Sequence, residues 1–414
     1  MKLRSSIATL LSIITCGAAL AAESTESTRA PASTTIPVPE STVPRSALRD
    51  SQSESPVEPK GRLSELGIDF TAIYKFEYRE TVAGGIQKGA QTLGNLDLRT
   101  AIDMEKLVGA RGLSAFVYVL GNHGGDDSLY AGDTQVTSNI EAPSDFVRVY
   151  EAWVQQLLFE KRVSILAGLH DLNSEFYVTD TSALFFNSSF GVGKELAQTG
   201  ANGPSIFPVT APALRLRIEP TPDFYLQVGV FNAISGNPDT LHGTHARLSP
   251  DDGLLTISEA AYVLNGEDVL TFKYGVGFWQ YSKAPNSGTY FLIDQTLSKN
   301  VGSFLRYGIA AADENEVAKN LSAGFVLNGS LFGREKDKLG IAFTSAFVSE
   351  KHRNDEAAAG NDLAETETVL ELNYRWEIME GVALQPDYQY VFNPSMSKEI
   401  SFASVIAARL ELSY

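Results

Sequence analysis

The stretch Leu66 to Arg79, LGIDFTAIYKFEYR, decides the fold class. Ile68, Phe70, Ala72, Tyr74, Phe76 and Tyr78 alternate in it with Asp69, Thr71, Ile73, Lys75, Glu77 and Arg79. Side chains alternate across a strand with a period of two, whereas a helix gathers apolar residues at spacings of three and four. The segment therefore predicts a β-strand with one apolar, aromatic face and one largely polar face. The split returns in Asn95 to Glu105, where Leu96, Leu98, Thr100, Ile102 and Met104 oppose Asn95, Asp97, Arg99, Ala101, Asp103 and Glu105. It returns again in Thr366 to Trp376, where Thr368, Leu370, Leu372, Tyr374 and Trp376 oppose Glu367, Val369, Glu371, Asn373 and Arg375.

Further segments of this kind run roughly over residues 111–122, 145–158, 162–171, 212–219, 223–232, 254–264, 268–282, 288–298, 302–313, 317–328, 337–349, 381–392 and 401–414, about sixteen in all. An even number of alternating segments of roughly ten residues is the signature of an outer-membrane barrel. Connections 159–161, 220–222, 265–267 and 377–381 are brief, while 123–144, 171–211 and 232–253 are long, and the two kinds fall on opposite ends of the strands. The inner connection 329–336 is longer than this rule predicts. A soluble sandwich predicts no such two-sided bias. Hydrocarbon cannot satisfy backbone N–H and C=O groups, so a spanning sheet must close on itself, and sixteen strands leave room for water. The expected fold is all-β: a transmembrane antiparallel up-and-down barrel with long outer loops and short periplasmic turns.

Composition agrees. The 33 basic and 50 acidic residues give a formal net charge of −17, which argues against a nucleic-acid partner. A mean hydropathy of −0.07 excludes a bundle of membrane helices but not a barrel. Lys2 and Arg4, the apolar run Ile7 to Ile14 and the small residues before Ala22 read as an export signal, residues 1–21, cleaved after Ala21. Its loss removes Lys2 and Arg4, taking the charge from −17 to −19, and removes Cys16, the single cysteine. Disulfides and thiolate chemistry are then excluded. Residues 22–61, with PASTTIPVPESTVP at their centre, hold almost no large apolar side chain and read as a solvated periplasmic tether. Residues 62–414 are the expected barrel domain.

The chain ends on Ile406, Ala408, Leu410, Leu412 and Tyr414 in phase with the apolar row. An aromatic terminus resembles the signal by which barrel-assembly machinery recognises bacterial outer-membrane proteins, many of which end in Phe. Leu96 to Gly112 (LDLRTAIDMEKLVGARG), Arg148 to Gln155 (RVYEAWVQ), Gly168 to Phe176 (GLHDLNSEF), Leu184 to Ser189 (LFFNSS), Lys338 to Phe343 (KLGIAF) and Leu384 to Pro394 (LQPDYQYVFNP) together resemble the OprB-type carbohydrate-selective porins of Gram-negative outer membranes. The resemblance implies passive, selective diffusion of small sugars through a water-filled channel narrowed by charged and aromatic residues. It also implies outer-membrane lipid and lipopolysaccharide as surroundings, and a third outer loop, Asp171 to Pro212, folded into the pore. A general or other-solute porin without sugar selectivity, and behind it a barrel enzyme, stay open as alternatives, and so do monomer and homo-oligomer.

Sugar hydroxyls suit charge-assisted hydrogen bonds, and a sugar ring face suits an indole. Strand phase and position in the family-like segments nominate Glu77, Asp97, Arg99, Glu151, Trp153, Arg215, Arg217 and Asp387 as pore-lining, with Asp171 and Asn173 at the start of the third outer loop. In the fourth strand Glu151, Trp153 and Gln155 are placed inward and Tyr150, Ala152 and Val154 outward; an outward Trp153 would instead anchor the lipid interface. Glu175 also stands where it would face a permeant, and Phe185, Phe186 and Phe190 are expected to pack the loop on the wall. No cofactor, metal or catalytic set emerges. His242 and His245 lack a third ligand, Gly191 to Lys194 lacks the rest of a phosphate loop, and Asp126, Asp127 and Asp133 read as a solvated acidic loop.

Overall fold

The computed structural model describes residues 62–125, 128–143, 145–237, 242–265, 271–329 and 333–414. The expected signal and tether, and Asp126 and Asp127, lie outside them. Sixteen antiparallel strands form one closed ring among the described residues: β1 (Ile68–Gly84), β2 (Gly89–Asp103), β3 (Leu113–Gly124), β4 (Phe146–Leu158), β5 (Val163–His170), β6 (Ala211–Thr221), β7 (Phe224–Asn232), β8 (Leu254–Asn265), β9 (Thr271–Tyr281), β10 (Ser287–Ser298), β11 (Val301–Ala310), β12 (Val317–Asn328), β13 (Lys338–Val348), β14 (Thr366–Met379), β15 (Val382–Phe392) and β16 (Phe402–Ser413). Every strand pairs with its neighbours in sequence, and β16 closes on β1 from Ile73↔Ser413 to Gly84↔Ala403. Reciprocal backbone bonds of 2.9 Å between Ala72 and Tyr414 finish the seam. The ring leaves no edge whose backbone groups would face lipid.

The period-two pattern maps onto the two faces. Phe70, Phe76, Tyr78, Leu370, Leu372 and Trp376 are exposed on the outside, while Glu77, Arg79, Glu367, Glu371 and Asn373 are buried on the lumen side. The long connections are outer ones and most inner ones are tight, as the pattern predicts.

Three details differ from expectation. The first hairpin runs on through residues 80–94 and turns at Gly84 and Gly85, both at positive φ, instead of opening into a loop after Arg79. Met104 and Glu105 leave β2 for a short helix, Met104–Val108, because Asp103 accepts the N–H groups of Glu105 and Lys106 at 3.0 and 3.1 Å and caps it. In β4 a bulge sets Tyr118 opposite Glu151 and Val119 opposite Val149, so Tyr150 is the extra residue. Both Tyr150 and Glu151 are consequently buried on the lumen side, which corrects the outward placement of Tyr150.

The lumen is divided. Along β7 to β10 the inner face carries Phe231, Leu255, Ile257, Trp279, Tyr290 and Leu292, and the third outer loop packs Leu172, Phe176, Tyr177, Val192 and Leu196 against them. Phe185 and Phe190 of the same loop pack on Phe304, Val326 and Ala342 of β11 to β13. This half is mostly apolar, crossed by the buried charges Glu259, Asp294 and Arg306. The other half, along β14 to β16 and β1 to β3, carries paired charges, and beside them Phe116, Tyr118, Phe146, Tyr150 and Trp153 of β3 and β4 form an aromatic cluster.

Leu372 lies midway along β14 on the lipid side, so Leu372→Arg should lower folding stability in lipid vesicles by about 2–4 kcal/mol. Urea unfolding read by the heat-modifiable gel shift measures this, and an unchanged midpoint would contradict the outward assignment.

Candidate functional site: a channel narrowed by two infolded loops

Irregular backbone inside a barrel has no sheet ladder to satisfy it, so its N–H groups need side-chain acceptors. Wall carboxylates supply them. Glu371 of β14 accepts the N–H groups of Phe186 and Asn187 at 2.6 and 2.9 Å. Glu259 of β8 accepts that of Tyr177 at 2.9 Å, and Asp294 of β10 accepts those of Asp180 and Thr181. Glu367 of β14 accepts from Thr134, Gln135 and Ser395 at 2.8, 2.6 and 2.9 Å, tying down the second and last outer loops. Cations and amides hold the carbonyls: Lys273 that of Val178, Arg306 those of Phe190 and Gly191, and Gln389 that of Thr137. The two loops also join each other, through Asn139 N–H to Phe186 O at 2.7 Å and Ser188 N–H to Val136 O at 2.9 Å. Asp133, expected on a solvated acidic loop, is buried instead and accepts the Thr137 N–H.

Between these loops and the polar wall lies a cavity of about 460 Å³. One side is a belt of ion-paired groups. Asp97 meets Lys75 at 3.3 Å and Arg99 at 3.5 Å and accepts from Tyr118 O–H at 2.6 Å and Asn95 at 2.5 Å. Arg409 reaches Glu77 at 2.6 Å and Asn139 at 2.8 Å with its guanidinium 3.8 Å above the Phe186 ring, and Arg375 pairs with Glu411 at 2.9 Å. The lining also includes Glu141, Asp171, Asn173 and Asp180 with Phe116, Tyr150 and Phe207, and Glu151, which stands in the same cross-strand row as Arg99 with Tyr118 between them.

Of the residues nominated from sequence, Asp97, Arg99, Glu151, Asp171 and Asn173 line this cavity. The other five face inward but stand off it. Glu77 is enclosed between Arg79 and Arg409. Trp153, buried and so not an interface anchor, stacks on Phe116 at 5.1 Å and meets His170 edge-on at 6.2 Å. Arg215 grips both oxygens of Glu175, at 2.5 and 2.8 Å, so Glu175 turns to the wall and not to the channel. Burial would raise the Glu175 carboxyl, but Arg215 and His170 hold it well below the usual range, so this clamp keeps its charge into acid. Arg217 pairs with Glu219 at 2.7 Å over the Tyr225 ring, and Asp387 is buried beside Gln389 at 3.0 Å. Phase also places Lys75, Arg375, Arg409 and Glu411 inward, yet cross-strand pairing is needed to see that they share the belt. The second outer loop was missed entirely, for its polar sequence carries no mark of folding inward.

The sequence profile described as "Carbohydrate-selective porin, OprB family" matches residues 87–284 and 280–414. The chain belongs to this family. It is an outer-membrane porin that passes carbohydrates. Porin B of Pseudomonas aeruginosa is 23% identical to this porin over 409 residues, covering 84% of this chain and 88% of that protein. The high-pH structure of Pseudomonas putida OprB superposes with a TM-score of 0.76 at 20% identity, covering 85% of this chain and 95% of that one. The outer-membrane channel DcaP of Acinetobacter baumannii superposes with a TM-score of 0.52 at 9% identity, over 84% of this chain and 97% of that one. At these identities the superpositions speak to the fold, and the family rests on the profile.

Glu371→Ala in this porin removes two charge-assisted hydrogen bonds to the third loop, a loss of about 3–6 kcal/mol of loop seating. The expected result in a planar bilayer is a larger and noisier single-channel current from a barrel that still folds; wild-type conductance and noise would contradict the latch.

Proposed function

We propose that a sugar crosses this porin along the charged belt, exchanging hydrogen bonds with Arg99, Asp97 and Lys75 and with Asp171, Asn173 and Glu151 of the same cavity lining. The observation that carries this reading is the juxtaposition of alternating cations and carboxylates with loop acids in the lining of a cavity of about 460 Å³. Hydroxyls both donate and accept, so a wall offering both kinds of partner suits them at every step. Each charged hydrogen bond contributes roughly 1.5–3 kcal/mol net, and passage requires that such bonds be spread over the path and not gathered in one deep site.

Ring stacking has a minor part in this account. Arg99 lies 4.7 Å from the centre of the Tyr118 ring and Arg409 covers Phe186, so these faces are already occupied by guanidinium groups. Phe116 and Phe207 supply apolar surface beside the belt. The work is diffusion without bond making, and no catalytic role is assigned to the paired carboxylates. The same reading extends to delivery: residues 1–21 direct export, 22–61 form a periplasmic tether, and the terminal strand ending at Tyr414 engages the barrel-assembly machinery.

Titrating glucose into a single-channel recording tests the path. Arg99→Ala should weaken sugar block about tenfold, equivalent to about 1.4 kcal/mol, while Arg217→Ala, off the cavity, should leave it unchanged. Equal block in wild type and Arg99→Ala, or an equal loss in both variants, would remove the assignment.

A further inference from the structure

The short helix Lys194–Ala197 of the third outer loop lies against β11 and β12, and its Glu195 is fully buried. One carboxyl oxygen, Oε1, accepts the Tyr177 hydroxyl at 2.9 Å, and the other, Oε2, has no donor among the described residues. The floor of this niche is Gly308 of β11, where a methyl group would collide with the Glu195 carboxyl. Strand and loop thus fit through a glycine and an acid in close contact.

The charged and titratable groups around it are engaged elsewhere. Tyr177 of the same loop stacks on Tyr290 of β10 at 4.0 Å. Arg306 of β11 lies 4.3 Å from the centre of the Tyr177 ring, but its Nη1 and Nη2 groups donate to the carbonyls of Ser189, Phe190 and Gly191, and its Nε has no acceptor among the described residues. Glu259 of β8 is held by Tyr177 N–H and by the Tyr225 and Tyr290 hydroxyls and pairs with Lys273 of β9 at 3.3 Å. Asp294 of β10 is taken by Asp180 and Thr181. The inward residues of β12 here, Asn320 and Ser322, are uncharged, and Lys194 lines the cavity. A buried carboxylate needs several strong donors, and this one has a single side-chain donor, the Tyr177 hydroxyl, with only the backbone N–H groups of Glu195 and Leu196 beside it.

We propose that the third outer loop is a proton-linked latch: neutral Glu195 seats the helix on Gly308, and ionised Glu195 releases it and widens the channel. Burial, the largest influence, pushes the Glu195 carboxyl from its ordinary 4.5 up to about 7, against the opposing effects of Tyr177, the backbone N–H groups of Glu195 and Leu196, and Arg306. The seated loop therefore keeps a proton that the released loop gives up. Seating is strongest below 4.5, weakens as pH climbs to about 7, and levels off above that. Across that window the seating equilibrium falls by roughly two orders of magnitude.

The inference rests on the reading of the cavity as the sugar path, and single-channel recording of the whole porin from pH 4 to 9, with and without glucose, separates the two. The expected result is a rise in conductance and a weakening of sugar block between 4.5 and about 7. Glu195→Gln should hold the low-conductance, tightly blocked state at every pH. Tyr177→Phe removes a donor that favours the ionised form and should move the transition to higher pH while the barrel stays folded. A flat wild-type profile, or a transition unchanged in both variants, would overturn the latch. A conductance transition without sugar block at any pH would support the latch and overturn the sugar path.

Discussion

Four wall carboxylates, Glu259, Asp294, Glu367 and Glu371, determine the shape of the channel, because they accept the backbone N–H groups of loops that would otherwise be buried without partners. A barrel of sixteen strands encloses more space than its side chains fill. The second and third outer loops occupy that space, and irregular backbone survives there only where every strand-facing N–H meets an acceptor. Charged acceptors make the shortest and strongest such bonds. The lumen acids thus hold loops as well as wet a channel.

Their arrangement explains the division of the lumen. Where the inner faces of β7 to β13 are apolar, the third loop covers them with Phe176, Phe185, Phe190 and Leu196, and hydrophobic burial adds to the hydrogen bonds. Where the inner faces of β14 to β16 and β1 to β3 carry paired charges, the loops touch them at points, as Asn139 and Phe186 do at Arg409, and leave a path beside them. The proposed sugar path follows this asymmetry. On the proposed path a permeant meets a belt in which Glu77, Asp97 and Glu411 each hold one or more cations, with Glu151 and Asp171 also in the lining.

The barrel itself is legible in the sequence because lipid imposes a period of two on one face of each strand, and the strand pattern in residues 66–79 or 366–376 carries that constraint without help from tertiary contacts. Bulges and caps are less legible: the extra Tyr150 in β4 and the Asp103 cap after β2 each shift the phase locally. Inward orientation is readable for Asp97, Arg99 and Glu151, but function divides the inward residues by partners distant in sequence. Arg215 serves Glu175, forty residues earlier, and Glu77 serves Arg409, at the far end of the chain. One readable sign of the covered half was present, for segments such as Leu254 to Leu264 are largely apolar on both faces, with Glu259 as the exception on the inner one, and a lumen-facing apolar row requires a cover.

The central claim is that the infolded loops and the charged belt make a path that recognises sugars and does not merely admit them. Single-channel conductance titrated with glucose, a disaccharide and a neutral non-sugar of matching size tests it most directly. Saturable block by the sugars, with none from the non-sugar, is the predicted result; a current that falls equally with all three would contradict it.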